Sequence, residues 1–340
     1  MSNTVARRLH QMLASRIVVL DGAIGTMLQR ERLSEDDFRG ERFRSHPQPL
    51  QGDNDLLCLT RPDVVEGVHR AYLEAGADVI TTNTFTATPV SQADYGLAPL
   101  AYEMNRAGAE IARRAAGRYR DRFVAGSLGP TNVTLSLSPR VDDPSYRQVT
   151  FDDLKAGYAE AARGLRDGGA DLLLIETVFD TLNGKAAIAA AREVAPELPL
   201  IVSISVVDRS GRNLSGQTAE AFWTSIAHAE PLAAGINCSL GAADMRAYVA
   251  DLARVASVPV LCYPNAGLPN AFGGYDEPAE TMAAVLREFA TSGLVNAVGS
   301  CCGSGPEHTA LLRASTEGLP PRLVPERARR TCFSGLEPFE

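Results

Sequence analysis

Short apolar runs alternate with helical patterns along almost the whole chain. Eight runs read as buried strands: 17–20, 78–81, 123–126, 171–175, 200–205, 235–237, 259–262 and 296–299. They are β-branched or leucine-rich and bounded by Gly, Pro or Asn, as parallel strands covered on both faces should be. Between most of them, apolar residues recur at helical spacing. Thr60 and Pro62 predict an N-cap and a first-turn proline, Val64, Val65, Val68 and Tyr72 share one face, and Gly76 ends that helix. The same pattern predicts helices over 99–116, 151–166, 182–194, 218–227, 243–255, 280–291 and 307–315, with a short amphipathic opening over 5–13.

Eight strand-then-helix units predict an α/β fold, a (β/α)8 TIM barrel. A doubly wound open sheet is the competing architecture, and the lack of a Gly-x-Gly-x-x-Gly turn weighs against it. Two connections exceed the usual length of roughly two to six residues. They cover 29–56, after the first strand, and 128–150, after the third. Both leave the C-terminal ends of strands, the face on which barrels carry their active sites. A decorative insertion is the plainer reading of each. Residues 318–340, with Pro320, Pro321 and Pro325, look like a linker leaving a barrel that occupies 1–317.

Charge narrows the partners. The 340 residues carry 33 Lys plus Arg against 41 Asp plus Glu, a formal charge of −8. A net-acidic chain without a basic stripe argues against nucleic acid as the main partner. Its one notable basic cluster, Arg327, Arg329 and Arg330, reads as solvated linker. No apolar run approaches the roughly 20 residues that span a bilayer, and Arg16 and Asp21 break any signal-peptide core. No membrane is expected, and a cytoplasmic location is. The six cysteines should then be thiols or metal ligands rather than disulfides. A chain this long folds without a metal staple, so a metal site reads as catalytic.

Cysteine placement is the sharpest chemical signal. Cys238 directly follows the sixth predicted strand in GINCSLG, and Cys301 and Cys302 directly follow the eighth in GSCCGSG. In a barrel those ends share one rim, one strand apart, so three thiols can converge. Three thiolates with one open position describe a catalytic zinc site. On spacing alone, Cys238 as a buried small hydrophobe beside an incidental vicinal pair is the competing reading. Cys58 and Cys332 lack such convergence, and Cys262, ending a strand in VLCYPNAG, reads as core.

Two carboxylates end strands at the same rim: Asp21 in LDGAIGT, beside Gly22 and Gly25, and Glu176 in LLLIETVFD. A carboxylate ending an apolar strand is costly to bury unless it meets a cation or donors. An ammonium group suits this acidic rim better than a phosphate. Asn83, Thr84 and Asn237 add neutral polar groups, whose bland role is to cap loop backbone. None of the five histidines follows a predicted strand, so a Ser-His-Asp or Cys-His nucleophile is poorly supported.

At these residues the sequence resembles the homocysteine S-methyltransferase family. The closest likeness is to the branch that forms the N-terminal homocysteine-binding module of cobalamin-dependent methionine synthases. The motifs run from LDGAIGTM through DFRGERF, GDNDLLCLTRPDVV, EAGADVITTNTF, GSLGPTN, VTFDDL (similar to ITFDDL), IETVFDTLNGKAA and SGRNLSGQT to GINCSLG, YPNAGLPNAFG (similar to HPNAGLPNAFG) and GSCCGSGPEH. DFRGERF, ETVFDTLN and PNAGLPNAFG are specific to that branch. SGLEPFE is similar to the junction at which its folate-binding barrel begins. Ser300, Ala23, Ile24 and Asp53 depart mildly from the family pattern, and none removes a ligand.

The resemblance implies zinc on Cys238, Cys301 and Cys302, with Glu176 beside them in the catalytic set. It implies homocysteine's amino and carboxyl ends near Asp21, Gly22, Thr84, Glu176 and Asn237. The implied reaction transfers methyl from methylcobalamin to a zinc-bound homocysteine thiolate, giving methionine and cob(I)alamin. Methylcobalamin would be held mainly by another module, and the implied partners are cobalamin-binding and folate-binding modules of the same enzyme. Two alternatives stay open: a stand-alone methyltransferase using betaine or S-methylmethionine, and a zinc-dependent homocysteine-binding module without activity of its own.

Overall fold

The computed structural model describes residues 2–207, 209–271, 273–326 and 331–339. All eight predicted strands are present: β1 (Val18–Val19), β2 (Val79–Thr81), β3 (Phe123–Leu128), β4 (Leu172–Val178), β5 (Leu200–Ile204), β6 (Ala233–Gly241), β7 (Val260–Asn265) and β8 (Ala297–Val298). They pair in parallel in the order β1-β8-β7-β6-β5-β4-β3-β2. A parallel bridge from Leu20 to Val79, with the Asp21 amide donating to Val79 O at 3.0 Å, closes β1 onto β2. With helices between the strands, the architecture is a (β/α)8 barrel rather than an open sheet.

Side chains alternate across each strand, and the inward ones change character with height. Leu172 and Leu174 are followed by Glu176, Ala125 by Ser127, Ile201 by Ser203, and Leu261 by Tyr263. The lower layers are an apolar plug and the top layer is polar. That change explains the strand ends: β4, β6 and β7 continue past the apolar runs that predicted them, through residues facing the mouth. Below, the helix Ser2–Ser15 drives Leu9 and Leu13 into the apolar interior and closes the base. Asn296 ties it there, donating to Leu13 O at 3.1 Å and Arg322 O at 2.9 Å. Asp78, also at the base, is fully buried among Arg16, Arg122 and Arg313.

One local expectation needs correction. Thr60 does not cap the helix Pro62–Glu74. It ends a preceding short helix, Leu57–Thr60, and its hydroxyl donates back to Leu56 O, leaving Arg61 as the N-cap. The connection after β1 holds the helices Ile24–Arg30 and Glu35–Arg39, the second opened by a Ser34/Asp37 capping box. The connection after β3 has no helix or strand over 129–150. Asp180 fixes it by accepting from the amides of Leu135 and Ser136 at 3.0 and 2.8 Å, and Arg147 donates to the carbonyls of the same two residues.

The C-terminal segment lies against the barrel. Arg322 is buried and donates to the carbonyls of Ala253, Ala256 and Val258. A hairpin of β9 (Phe333–Ser334) and β10 (Pro338–Phe339) rests on the helix Ala219–Ile226. There Gln217 donates to Gly335 O at 2.7 Å, and Ser225 meets Ser334 at 2.8 Å. The basic cluster Arg327, Arg329 and Arg330 lies outside the described residues. No helix among those described is long and apolar enough to cross a membrane.

Candidate active site

Cys238 reaches the mouth through an irregularity in β6. Cys238 and Ser239 both adopt left-handed backbone, φ 61° and 55°, and pairing with β7 is interrupted between Asn237 and Gly241. Such backbone is costly for residues with a Cβ. Here it is held by Ser239 Oγ donating to Val206 O. Cys238 therefore lies inside β6, not after it, because the strand resumes at Gly241.

Cys301 and Cys302 follow β8 as predicted. The Cys301 amide donates to Pro264 O at 2.7 Å, and Cys302 O accepts from Ala266 N at 2.9 Å, so the end of β7 and the residue after it fix both. Gly303 turns the loop at φ 84°, where any Cβ would collide with Tyr275. The three Sγ atoms lie within 4.8 Å of one another, with Cys238 and Cys302 at 4.0 Å. Sulfurs about 2.3 Å from a tetrahedral zinc stand about 3.8 Å apart. This is the one group of three or more metal-binding side chains so gathered among the described residues. Hydrogen bonds from Cys238 and Cys301 push the Cys302 thiol down, so the cluster already favours a thiolate.

The two carboxylates are buried beside it. Asp21 accepts from Thr81 N at 2.7 Å and from the Thr81 hydroxyl. Glu176 accepts from Ser127 Oγ at 2.6 Å. Burial raises Asp21 well above the usual carboxylate range, against the Thr81 hydrogen bonds. It raises Glu176 to about 7, against the Ser127 hydrogen bond. Neither has a cationic partner among the described residues, so both favour an incoming cation.

The remaining predicted residues are at the mouth, each in contact with neighbouring strands or loops. Gly22 is required by contact: a Cβ there would lie 2.8 Å from Ser304 Oγ and 2.9 Å from Ser300 Oγ, on the cysteine loop. Thr84 Oγ1 donates to Ser127 O at 2.9 Å, tying the β2 end to β3. Asn237 Oδ1 accepts from Thr177 N at 3.0 Å and Ser203 Oγ at 2.7 Å, while its Nδ2 donates to Thr177 Oγ1. It thereby holds Thr177, itself left-handed at φ 57°, directly after Glu176. Asn83 caps the Asn54 carbonyl. Cys58 and Cys262 are buried away from the cluster, and no disulfide joins any of the six cysteines.

Sequence reasoning missed two groups here. Tyr263 and Asn265, on β7, bring a buried hydroxyl and a buried amide oxygen without hydrogen-bond partners. Their signal was available in the period-2 alternation continued past Cys262.

The profile of the homocysteine S-methyltransferase family matches residues 18–316. Among solved structures, the metallated form of the homocysteine methyltransferase MmuM from Escherichia coli is similar. It has 23% identity and a TM-score of 0.70 over 88% of this chain and 96% of that one. The oxidized form gives 22% and 0.68 over 88% and 95%, and the apo form 21% and 0.64 over 88% and 96%. At this identity the structures speak for the barrel, and the profile speaks for the family. Its span contains both strand ends that carry the cysteines, and the chain belongs to the homocysteine S-methyltransferase family.

Proposed function

We propose that this chain activates homocysteine for methylation by methylcobalamin, with zinc held by Cys238, Cys301 and Cys302. One observation carries the metal assignment: three thiols from two strand ends converge within 4.8 Å, near tetrahedral sulfur spacing. The donor set is soft, as zinc prefers over magnesium or calcium. The orphaned Asn265 oxygen, on the strand whose Pro264 holds Cys301, adds a neutral lone pair to the same surroundings. When bound, zinc supplies the Lewis acidity that lets a thiol react as a thiolate near neutral pH.

The chain's own residues do the rest. Asp21 and Glu176 take the ammonium end of the amino acid, which supplies the cation that burial denied them. Holding that end fixes the direction of the sulfur and makes the transfer a problem of positioning. Ser127 and Asn237 keep the Glu176 region rigid through their hydrogen bonds. The apolar layers beneath deny the site a second entrance for water.

Methylcobalamin as donor, and partner modules that hold cobalamin and folate, rest on the motifs DFRGERF, ETVFDTLN and PNAGLPNAFG. On that reading 1–317 is the homocysteine barrel and 318–340 leads toward a folate-binding domain. The connections 29–56 and 128–150 form the rim on which the corrin sits. The zinc-loaded chain, given homocysteine and free methylcobalamin, should form methionine slowly. Saturation should be visible in homocysteine but not in donor, since a tethered donor's effective concentration is lost. Betaine and S-methylmethionine should give nothing above background. Turnover with either of these, and none with methylcobalamin, moves the assignment to a stand-alone methyltransferase. Tight zinc and homocysteine binding with no transfer from any donor leaves a binding module.

A further inference from the structure

The mouth is rich in acceptors and poor in donors. Asp21, Glu176, the cysteine sulfurs and the Asn265 oxygen all offer lone pairs. The hydroxyls that could donate are mostly spent. Ser127 donates to Glu176, Ser203 to Asn237 at 2.7 Å, and Thr84 to Ser127 O. An amino-acid substrate brings an ammonium, which this lining suits, and a carboxylate, which it does not.

Ser300 and Tyr263 keep their hydroxyls uncommitted, and Tyr263 is the one in the inward row of β7. Its side chain points inward from β7, above Leu261, and only 4% of it is exposed. Its hydroxyl is buried and has no partner at hydrogen-bonding distance, though Ser203 lies close enough to act on it. A buried hydroxyl left unsatisfied is destabilising, so its retention points to a partner that arrives. Strand register pairs Tyr263 with Asn237, the residue before Cys238, and the next residue, Pro264, accepts from the Cys301 amide, so Tyr263 stands beside the metal site. A phenol keeps its proton near neutral pH, and burial raises Tyr263 further, so it remains a donor. Gly299 makes room for it, since a Cβ there would lie 3.2 Å from Tyr263 Cβ.

We propose that the Tyr263 hydroxyl donates to the substrate's α-carboxylate and so selects an amino acid over a simple aminothiol. This deepens the homocysteine assignment and rests on it. The neutral donor serves an anion in a net-acidic mouth without neutralising the carboxylates that hold the ammonium. The bond is charge-assisted, which makes its loss measurable.

The test compares three thiols binding to the zinc-loaded chain by calorimetry: homocysteine, 3-aminopropanethiol, which lacks the carboxylate, and 4-mercaptobutyrate, which lacks the amine. Tyr263→Phe should weaken homocysteine and 4-mercaptobutyrate by roughly 10- to 100-fold. It should leave 3-aminopropanethiol and the zinc content unchanged. Ser300→Ala, removing the other uncommitted hydroxyl, should leave all three affinities within about twofold. An equal loss for 3-aminopropanethiol, no loss for homocysteine, or carboxylate selectivity that follows Ser300 instead overturns the proposal. If the unaltered chain binds none of the three, the homocysteine assignment itself fails, which is a separate outcome.

Discussion

The base and the mouth of the barrel bury carboxylates in opposite ways. At the base, Asp78 is completely buried and receives the guanidiniums of Arg16, at 2.7 Å, Arg122, at 3.2 Å, and Arg313. Against the burial that raises it, Arg16 and Arg313 hold its carboxyl below the usual range. At the mouth, Asp21 and Glu176 are buried nearly as deeply with hydroxyl and amide donors only, and both are raised. Removing an ion from water costs several kcal/mol unless a partner repays it. The base supplies that partner from the chain. The mouth leaves it to be supplied from outside. Charge that is fully answered within the fold serves stability, and charge left unanswered marks where a ligand belongs.

This contrast can be broken by substitution. The largest effect should come from the cysteines. Changing Cys238, Cys301 or Cys302 to Ser should take zinc from one per chain to near none by elemental analysis. Metal-free protein should stay folded, because the apolar core does not depend on the site. Cys58→Ser or Cys262→Ser should keep the zinc. Metal-free protein that unfolds would erase the division between mouth and base.

Asp78→Asn should cost about 3–5 kcal/mol in denaturant unfolding, since three guanidiniums lose their anion. Homocysteine affinity of the molecules that remain folded should not change. A shift of less than about 1 kcal/mol would mean the arginine cluster is ornamental.

Glu176→Gln should weaken homocysteine binding about 10-fold with zinc retained. Its effect on stability should run the other way. An unfolded glutamate ionises near 4.3, whereas folded Glu176 does so at about 7. As pH rises between those values the unfolded state sheds its proton first, and the folded state loses stability. The Gln variant escapes that loss and should gain about 1–3 kcal/mol on the parent across this window. Thermal unfolding at pH 4 and pH 7.5 measures it. A gain that is flat with pH would show that Glu176 is already compensated.

Much of this was legible in the chain. Eight apolar runs predicted eight strands because a barrel interior demands them. The cysteines stood out because strand ends in a barrel converge. What escaped has several causes. Tyr263 and Asn265 sit past the apolar run of β7, where hydropathy no longer marks a strand but alternation continues. The bend at Cys238 and Ser239 depends on backbone angles that no propensity of Cys or Ser announces. Asp78 meets arginines that are 62, 44 and 235 residues away in the chain, a pairing invisible to local pattern. The C-terminal hairpin's seat on the helix Ala219–Ile226 is set by hydroxyl and amide contacts that composition does not encode.

The helix Ser2–Ser15, by sealing the base with Leu9 and Leu13, has a kinetic consequence. A barrel closed at one end has a single doorway. For any methyl donor too large to pass the rim, the acceptor must already be inside when the donor settles over it. The product in turn can leave only after the donor lifts. Traffic through such a site is ordered by its plumbing, with the small molecule first in and last out.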